Sequence, residues 1–234
     1  RRQRQMCIRD RSDIADAKGL TISTIGKALQ SASEEAVVSL ASTPEGGDAV
    51  EALNTAFMTD GAIVDVAKGA SVAKPLLIVF VRAGSAANAV AVRNLITVGE
   101  GSNATIVEAN VVLPGAVRDA HLNALAQVSV GKGATLNHVK SAVDEGKSLH
   151  LSNNEVTLAA DATYRAFQFS SSLGFARHGT NILFDGEGST LDLSGAYLAR
   201  HSEHVDNTLV VDHAVPHCSS RELFKGVLDG HGRG

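Results

Sequence analysis

The sequence predicts a mainly β protein, a right-handed parallel β-helix preceded by a short helical N-terminal segment. Two observations carry this. From Ala62 onward, short β-branched segments follow one another, separated by Gly, Asn and Asp, with no room for a helical crossover between them. Within that region a turn motif recurs. Val98-Gly-Glu-Gly-Ser-Asn-Ala-Thr105 returns as Val130-Gly-Lys-Gly-Ala-Thr135, Leu158-Ala-Ala-Asp-Ala-Thr163 and Phe184-Asp-Gly-Glu-Gly-Ser-Thr190, so that Thr105, Thr135, Thr163 and Thr190 stand 30, 28 and 27 residues apart. A near-constant period of this size, built from strands, is the mark of stacked coils. A β-sandwich with recurring Gly-rich hairpins is the rival, and the constant period favours the β-helix.

Taken in order, Ile22-Ser-Thr-Ile-Gly-Lys-Ala-Leu29 and Glu34-Glu-Ala-Val-Val-Ser-Leu40 space their apolar residues by three and four, which predicts short amphipathic helices. A third helix is expected from an Asp48 N-cap, with Glu51 three residues on, to about Met58, burying Ala52, Leu53, Ala56 and Phe57. Residues 12–60 thus form a partial helical region and residues 61–234 the β-helix. Strands are expected around Ile63–Val66, Leu76–Val81, Ala89–Val92, Leu95–Val98 and Ala104–Val107, and again at Phe224–Leu228, followed by a turn over Asp229–Gly234. In Thr190-Leu-Asp-Leu-Ser194, alternation points Leu191 and Leu193 inward and Asp192 outward. Aromatic residues make up 4% of the chain and Trp is absent, so Val, Leu, Ile and Ala must fill the interior.

The first ten residues, Arg1 to Asp10, match the in-frame translation of a common transposase-based sequencing adapter, and residues 1–11 are set apart from the fold. Without Arg1, Arg2, Arg4, Arg9 and Asp10, 17 basic side chains face 24 acidic ones. An acidic remainder argues against nucleic acid or an anionic membrane as partner. No apolar run is long enough to span a bilayer. With Cys7 set aside, Cys218 has no partner for a disulfide, which fits a reducing cytoplasm.

Chemistry-bearing residues crowd the C-terminal end. Five of the nine histidines, His201, His204, His213, His217 and His231, fall in the last 34 residues. His213, His217 and Cys218 are the candidate metal ligands, since imidazole and thiolate hold zinc, copper or iron–sulfur groups. Against this, an extended chain points His217 and Cys218 to opposite faces, and His201-Ser-Glu-His204 lacks the i, i+4 spacing of a helical zinc motif. Cys218 reads either as a thiolate activated by a nearby His or Arg221, or as a small apolar core residue. Ser219 and Ser220 lie near His217 and Asp212 without a Gly-x-Ser-x-Gly turn, and the Gly-Glu-Gly and Gly-Lys-Gly turns lack the ending of a phosphate loop. Paired carboxylates such as Glu34-Glu35 and Asp144-Glu145 read as solvated surface. No residue is assigned a catalytic role.

The run Pro216-His-Cys-Ser-Ser-Arg-Glu-Leu-Phe-Lys-Gly-Val-Leu-Asp-Gly230 resembles the C-terminal β-helix segment of the SufD family of iron–sulfur cluster assembly proteins. Ala52-Leu-Asn-Thr-Ala-Phe-Met-Thr-Asp-Gly61, Lys74-Pro-Leu-Leu-Ile-Val-Phe80 and Gly186-Glu-Gly-Ser-Thr-Leu191 are similar too, so the likeness runs from about residue 12 to the end. It implies a SufBD-type solenoid and a non-catalytic scaffold. It also implies pairing with a SufB-like β-helix protein, coupling to a SufC-like ATPase through a C-terminal domain, and an iron–sulfur cluster as the complex's product. On this reading the chain is a fragment whose β-helix is cut at its C-terminal end, and the family's cluster-assembly histidine lies beyond Gly234. The competing classes are a β-helix carbohydrate-active enzyme, which scarce aromatics disfavour, and a self-assembling structural β-helix.

Overall fold

The computed structural model describes residues 18–30, 49–117, 119–144, 148–171 and 174–234. The expected helix over 34–40, the Asp48 N-cap, Glu145 and residues 1–11 with Cys7 lie outside them. The described chain opens with β1 (Leu20–Thr24), α1 (Ile25–Gln30), α2 (Ala49–Phe57), β2 (Met58–Asp60), β3 (Ala62–Val66) and β4 (Leu76–Arg82). It continues through β5 (Asn88–Val98), β6 (Asn103–Val112), β7 (Ala120–Val130), β8 (Thr135–Val143) and β9 (Leu149–Leu158). The remaining strands are β10 (Thr163–Ser171), β11 (Phe175–Phe184), β12 (Thr190–Ala199), β13 (His204–Asp212) and β14 (Ser219–Leu228).

Successive strands alternate between two sheets. The odd-numbered strands form one, in the order β1-β3-β5-β7-β9-β11-β13 with β2 also on β5, and the even-numbered strands form the other, in the order β14-β12-β10-β8-β6-β4. Each strand therefore pairs in parallel with the strand one coil away, as β7 does with β5 and β9. The result is a two-sheeted β-solenoid of about six turns, and the expected β-helix architecture is observed. Among the described strands β1 alone runs antiparallel, on β3.

The recurring turn explains the period. Ser102 N donates to Gly99 O at 3.1 Å, Ala134 N to Gly131 O at 3.0 Å and Ala162 N to Ala159 O at 3.1 Å. The third residue of each turn has positive φ, 64° at Gly101, 61° at Gly133 and 58° at Asp161, as a type II turn requires. Glycine takes this conformation freely and Asp tolerates it. The turns also pair coil to coil, Gly101 N donating to Lys132 O at 2.8 Å and Gly133 N to Ala160 O at 2.9 Å.

Three expectations are corrected. Ile22-Ser-Thr24 is not helical: it belongs to β1, because β-branched residues suit the open edge that β3 offers, and only Ile25–Gln30 coils. Thr105 is not the register mate of Thr135. Thr135 pairs with Asn103 and Thr105 with Asn137, so that coil is 32 residues long, because the Gly-x-Gly turns superpose and Thr105 lies two residues into its strand. Third, α2 forms where expected but docks the other way round. Glu51 and Asn54 are buried, whereas Ala52, Leu53, Ala56 and Phe57 are exposed, Phe57 by 66%.

The reversal has a local cause. α2 lies on the outer face of β5, β7 and β9, where Arg93, Asn123 and Asn153 present polar groups. Asn54 Nδ2 donates to Val92 O at 2.9 Å and Asn123 O at 3.0 Å. Arg93 Nε donates to Asn54 Oδ1 at 3.2 Å, and Asn153 Nδ2 to Glu51 Oε1 at 3.1 Å. An apolar helix face would have left these groups buried without partners, at about 1–3 kcal/mol each.

Candidate functional site

Inside the solenoid the two sheets face each other, and alternation sends every second residue inward. Next to the Gly-x-Gly turns these are aliphatic: Val98, Val130 and Leu158 from one sheet meet Ile106, Leu136 and Leu191 from the other, each almost fully buried. Burying each such side chain contributes about 1.5–3 kcal/mol. As expected, Leu191 and Leu193 are buried and Asp192 is not.

Farther from the turns the same inward rows become polar. In the register of the even-numbered sheet Glu108 pairs with Lys140 and Lys140 with Gln168, while Ile106 pairs with His138. In the odd-numbered sheet Ala124, Ser152, His178 and Asn207 share one row, and His150 and Ala176 another. The coil-by-coil ladder thus delivers residues about 30 apart in sequence to one buried region.

Their contacts form three neighbouring groups. His138 Nε2 lies 2.8 Å from Glu108 Oε1, and His138 Nδ1 lies 2.9 Å from Tyr164 Oη. Lys140 Nζ donates to Asn154 Oδ1 at 2.7 Å and sits 3.6 Å from Glu108 Oε2. Asn154 Nδ2 donates to Thr180 Oγ1 at 3.3 Å. The His178 ring stands 5.4 Å from His150, its Nε2 2.8 Å from Ser170 Oγ, and Gln168 Nε2 donates to Asn207 Oδ1 at 3.0 Å. At the margin Arg82 and Asp144 form an ion pair at 2.5 Å, so Asp144, expected on the solvated surface, is instead buried, its charge offset by the guanidinium.

Electrostatics follow from burial and these neighbours. Burial pushes the Glu108 carboxyl up, but Lys140 and the His138 hydrogen bond outweigh it and hold the group at about 2. Glu108 is therefore an acceptor only, so His138 Nε2 carries a proton and donates it. Burial, then the Glu108 charge, raises the Tyr164 phenol, which stays protonated. Burial, then Lys140, lowers His150 to about 4, and burial with His150 and Lys140 lowers His178 well below its usual value.

A cavity of about 20 Å³ opens among Glu108, Asn110, Lys140, His150, Gln168 and His178. That is room for about one water molecule, and Asn110 Oδ1, buried without a protein partner, is an acceptor for it. Nothing larger fits. The arrangement can hold charge and protons in fixed places.

The residues singled out from the sequence lie elsewhere. His213 and His217 follow β13 in the turn before β14 and are exposed. The His213 ring stacks on Phe184 at 4.5 Å and its Nε2 is 3.3 Å from Ser220 Oγ. His217 has φ of 63°, a turn conformation. Cys218 is half-buried against the aliphatic core, its Sγ 3.4 Å from Gly186 O. His201 sits in a turn with φ of 55° and His204 packs edge-on to Phe175. The histidines are thus spread along the last coil. Among the described residues no three His, Cys, Asp or Glu side chains converge as a metal site would need. The polar core was missed, although one signal was available: strand alternation puts His138 and Lys140 on the same side as Leu136.

No helix among the described residues is long and apolar enough to cross a membrane. Residues 80–234 match the family model for SUF system FeS cluster assembly, SufBD core domain. The chain is 33% identical over 175 residues to the iron–sulfur cluster assembly protein SufD of Escherichia coli, covering 73% of this chain and 40% of that protein. It is 37% identical over 82 residues to a SufBD family protein of Mycobacterium leprae, which covers 35% of this chain and 21% of that one. A SufBD family protein of Synechocystis is 23% identical over 194 residues, 79% of this chain and 42% of the relative. The chain therefore spans less than half the length of these relatives.

Proposed function

The chain belongs to the SufBD core family of SUF iron–sulfur cluster assembly proteins, and from that premise we propose that it is part of a cytoplasmic scaffold subunit of the SUF complex. It pairs with a SufB-like β-helix protein and is coupled to a SufC-like ATPase, and the iron–sulfur cluster is the product of the assembly rather than a resident cofactor of this chain. The single observation that carries this reading is the family match itself, which runs continuously over the coils from β4 onward. A scaffold role is in keeping with the interior, where Glu108, His138, Lys140 and Asn154 partner one another as a structural framework would.

The test is co-purification. The full-length protein that contains this sequence, tagged and expressed at native level, is expected to bring down the SufB-like and SufC-like proteins of the same cell. Recovery of neither overturns the assignment.

A further inference from the structure

Outside the solenoid the two sheets differ. The odd-numbered sheet carries α2 on its outer face, whereas the even-numbered sheet exposes a dry one. Two of its outward rows run straight across six strands. One row is Leu77, Val107, Val139, Phe167, Ser194 and Leu223. Four positions along the strands, Val81 and Val111 at one edge and Val143, Leu198 and Val227 toward the other occupy a parallel row, interrupted by the buried Ser171. Leu77 is exposed by 57%, Val81 by 46%, Leu223 by 45% and Val227 by 62%, with Phe167 also exposed, while Val107, Val139 and Leu198 between them are half-buried. Strands with one solvated face normally alternate apolar and polar. Here three consecutive outward rows hold one charged residue, Lys225.

We propose that this face is the docking site for an amphipathic helix of a partner protein, with an apolar stripe flanked on one side by carboxylates. Size argues for a helix. Six strands at about 4.8 Å spacing and four residue steps of about 3.3 Å give a strip of roughly 24 by 13 Å. A helix of about 16 residues is 24 Å long and 10–12 Å wide. The strip falls well short of the roughly 800 Å² per partner that a standard protein–protein interface buries, which disfavours a second copy of the chain. Charge sets one flank: in the next row toward the turns Arg165 and Arg221 stand on either side of Asp192, and Lys225 adds a cation at the β14 end of the middle row. The fold already seats one helix, α2, across three strands of the opposite sheet.

The test places the photo-crosslinking residue p-benzoylphenylalanine at Val79, in the middle row, of the full-length protein in its own cells, with Ser129 on the other sheet as control. The expected adducts from position 79 converge on one contiguous segment of a second polypeptide, with apolar residues at i, i+3, i+4 and i+7 and Asp or Glu beside them. Val143→Glu abolishes these adducts without lowering the melting temperature. A synthetic peptide of that segment binds the purified protein, at least threefold more weakly after Arg221→Glu. Adducts to a second copy of the chain, to another part of the same chain or to lipid overturn the proposal, as do adducts scattered over unrelated segments or none above the Ser129 control.

Discussion

His150 and His178 are imidazoles sealed between two sheets beside the Lys140 ammonium, and that placement makes stability depend on pH. Burial, then Lys140, lowers His150 from 6.5 to about 4, and His178 moves the same way. Between those values the unfolded chain binds protons that the folded one refuses. Stability is therefore fully present above pH 6.5 and lost as the pH falls toward 4, by at most about 3 kcal/mol for His150. Glu108 acts in a lower window. Its carboxyl is held at about 2 against an ordinary 4.5, so its contribution fades only below pH 4.5. Urea unfolding at a series of pH values is expected to show a steep loss between pH 6.5 and 4, and His150→Gln should flatten that slope. An unchanged slope in the variant would remove His150 from the account.

At the scale of elements, α2 gives the sharpest test, because amphipathicity and packing disagree there. Its apolar residues suggest that Phe57 anchors the helix, yet the contacts assign that work to Asn54, which holds Val92, Asn123 and Arg93 together. Asn54→Ala strips partners from buried groups and is expected to cost about 2 kcal/mol. Phe57→Ser, at an exposed position, should change stability by less than about 0.5 kcal/mol. Thermal unfolding of the two variants decides the matter, with hydrogen exchange showing whether α2 amides lose protection in the first alone. A larger effect at Phe57 would mean that the helix docks by its apolar face. The turns, by contrast, were readable residue by residue. Positive φ at Gly101 and Gly133 selects glycine locally, so the motif shows in the sequence whatever the rest of the chain does. The first coil interval was misread at Thr105 because threonine marks strand preference, whereas the turn sets the register.

For the molecule as a whole, strand pairing supplies stability only between neighbours, so the ends of the stack matter. Among the described residues β14 pairs with β12 and β13 with β11, and each leaves its other edge open apart from the bridge between His204 and Arg233. Open parallel edges recruit further strands. The 234-residue chain alone is expected to self-associate at micromolar concentration in sedimentation velocity, and a sharp monomer boundary would contradict this. The same nearest-neighbour logic accounts for what could be read beforehand. Inward alternation at Leu191 and Leu193, the glycine turns and the period are local consequences of a strand's geometry, and they established the β-helix. The family resemblance rested on the contiguous run Pro216–Gly230, with similar stretches at Ala52–Gly61, Lys74–Phe80 and Gly186–Leu191.

The sequence by itself thus determined the solenoid, its period, its aliphatic half-core and its family. Only the tertiary structure decided where the ionisable groups meet. Glu108 comes from β6, His138 and Lys140 from β8 and Tyr164 from β10, while His150 and His178 come from β9 and β11, and the pairing register brings the members of each group within hydrogen-bonding or ring-contact distance. It likewise decided which face of α2 is buried, because Arg93, Asn123 and Asn153 reach that face from three strands that sequence distance keeps apart. The physical reason is common to both. A buried polar group is stabilised by whichever partner the fold sets beside it, and in a stack of coils that partner sits on another strand, half a turn of the solenoid or more away in sequence.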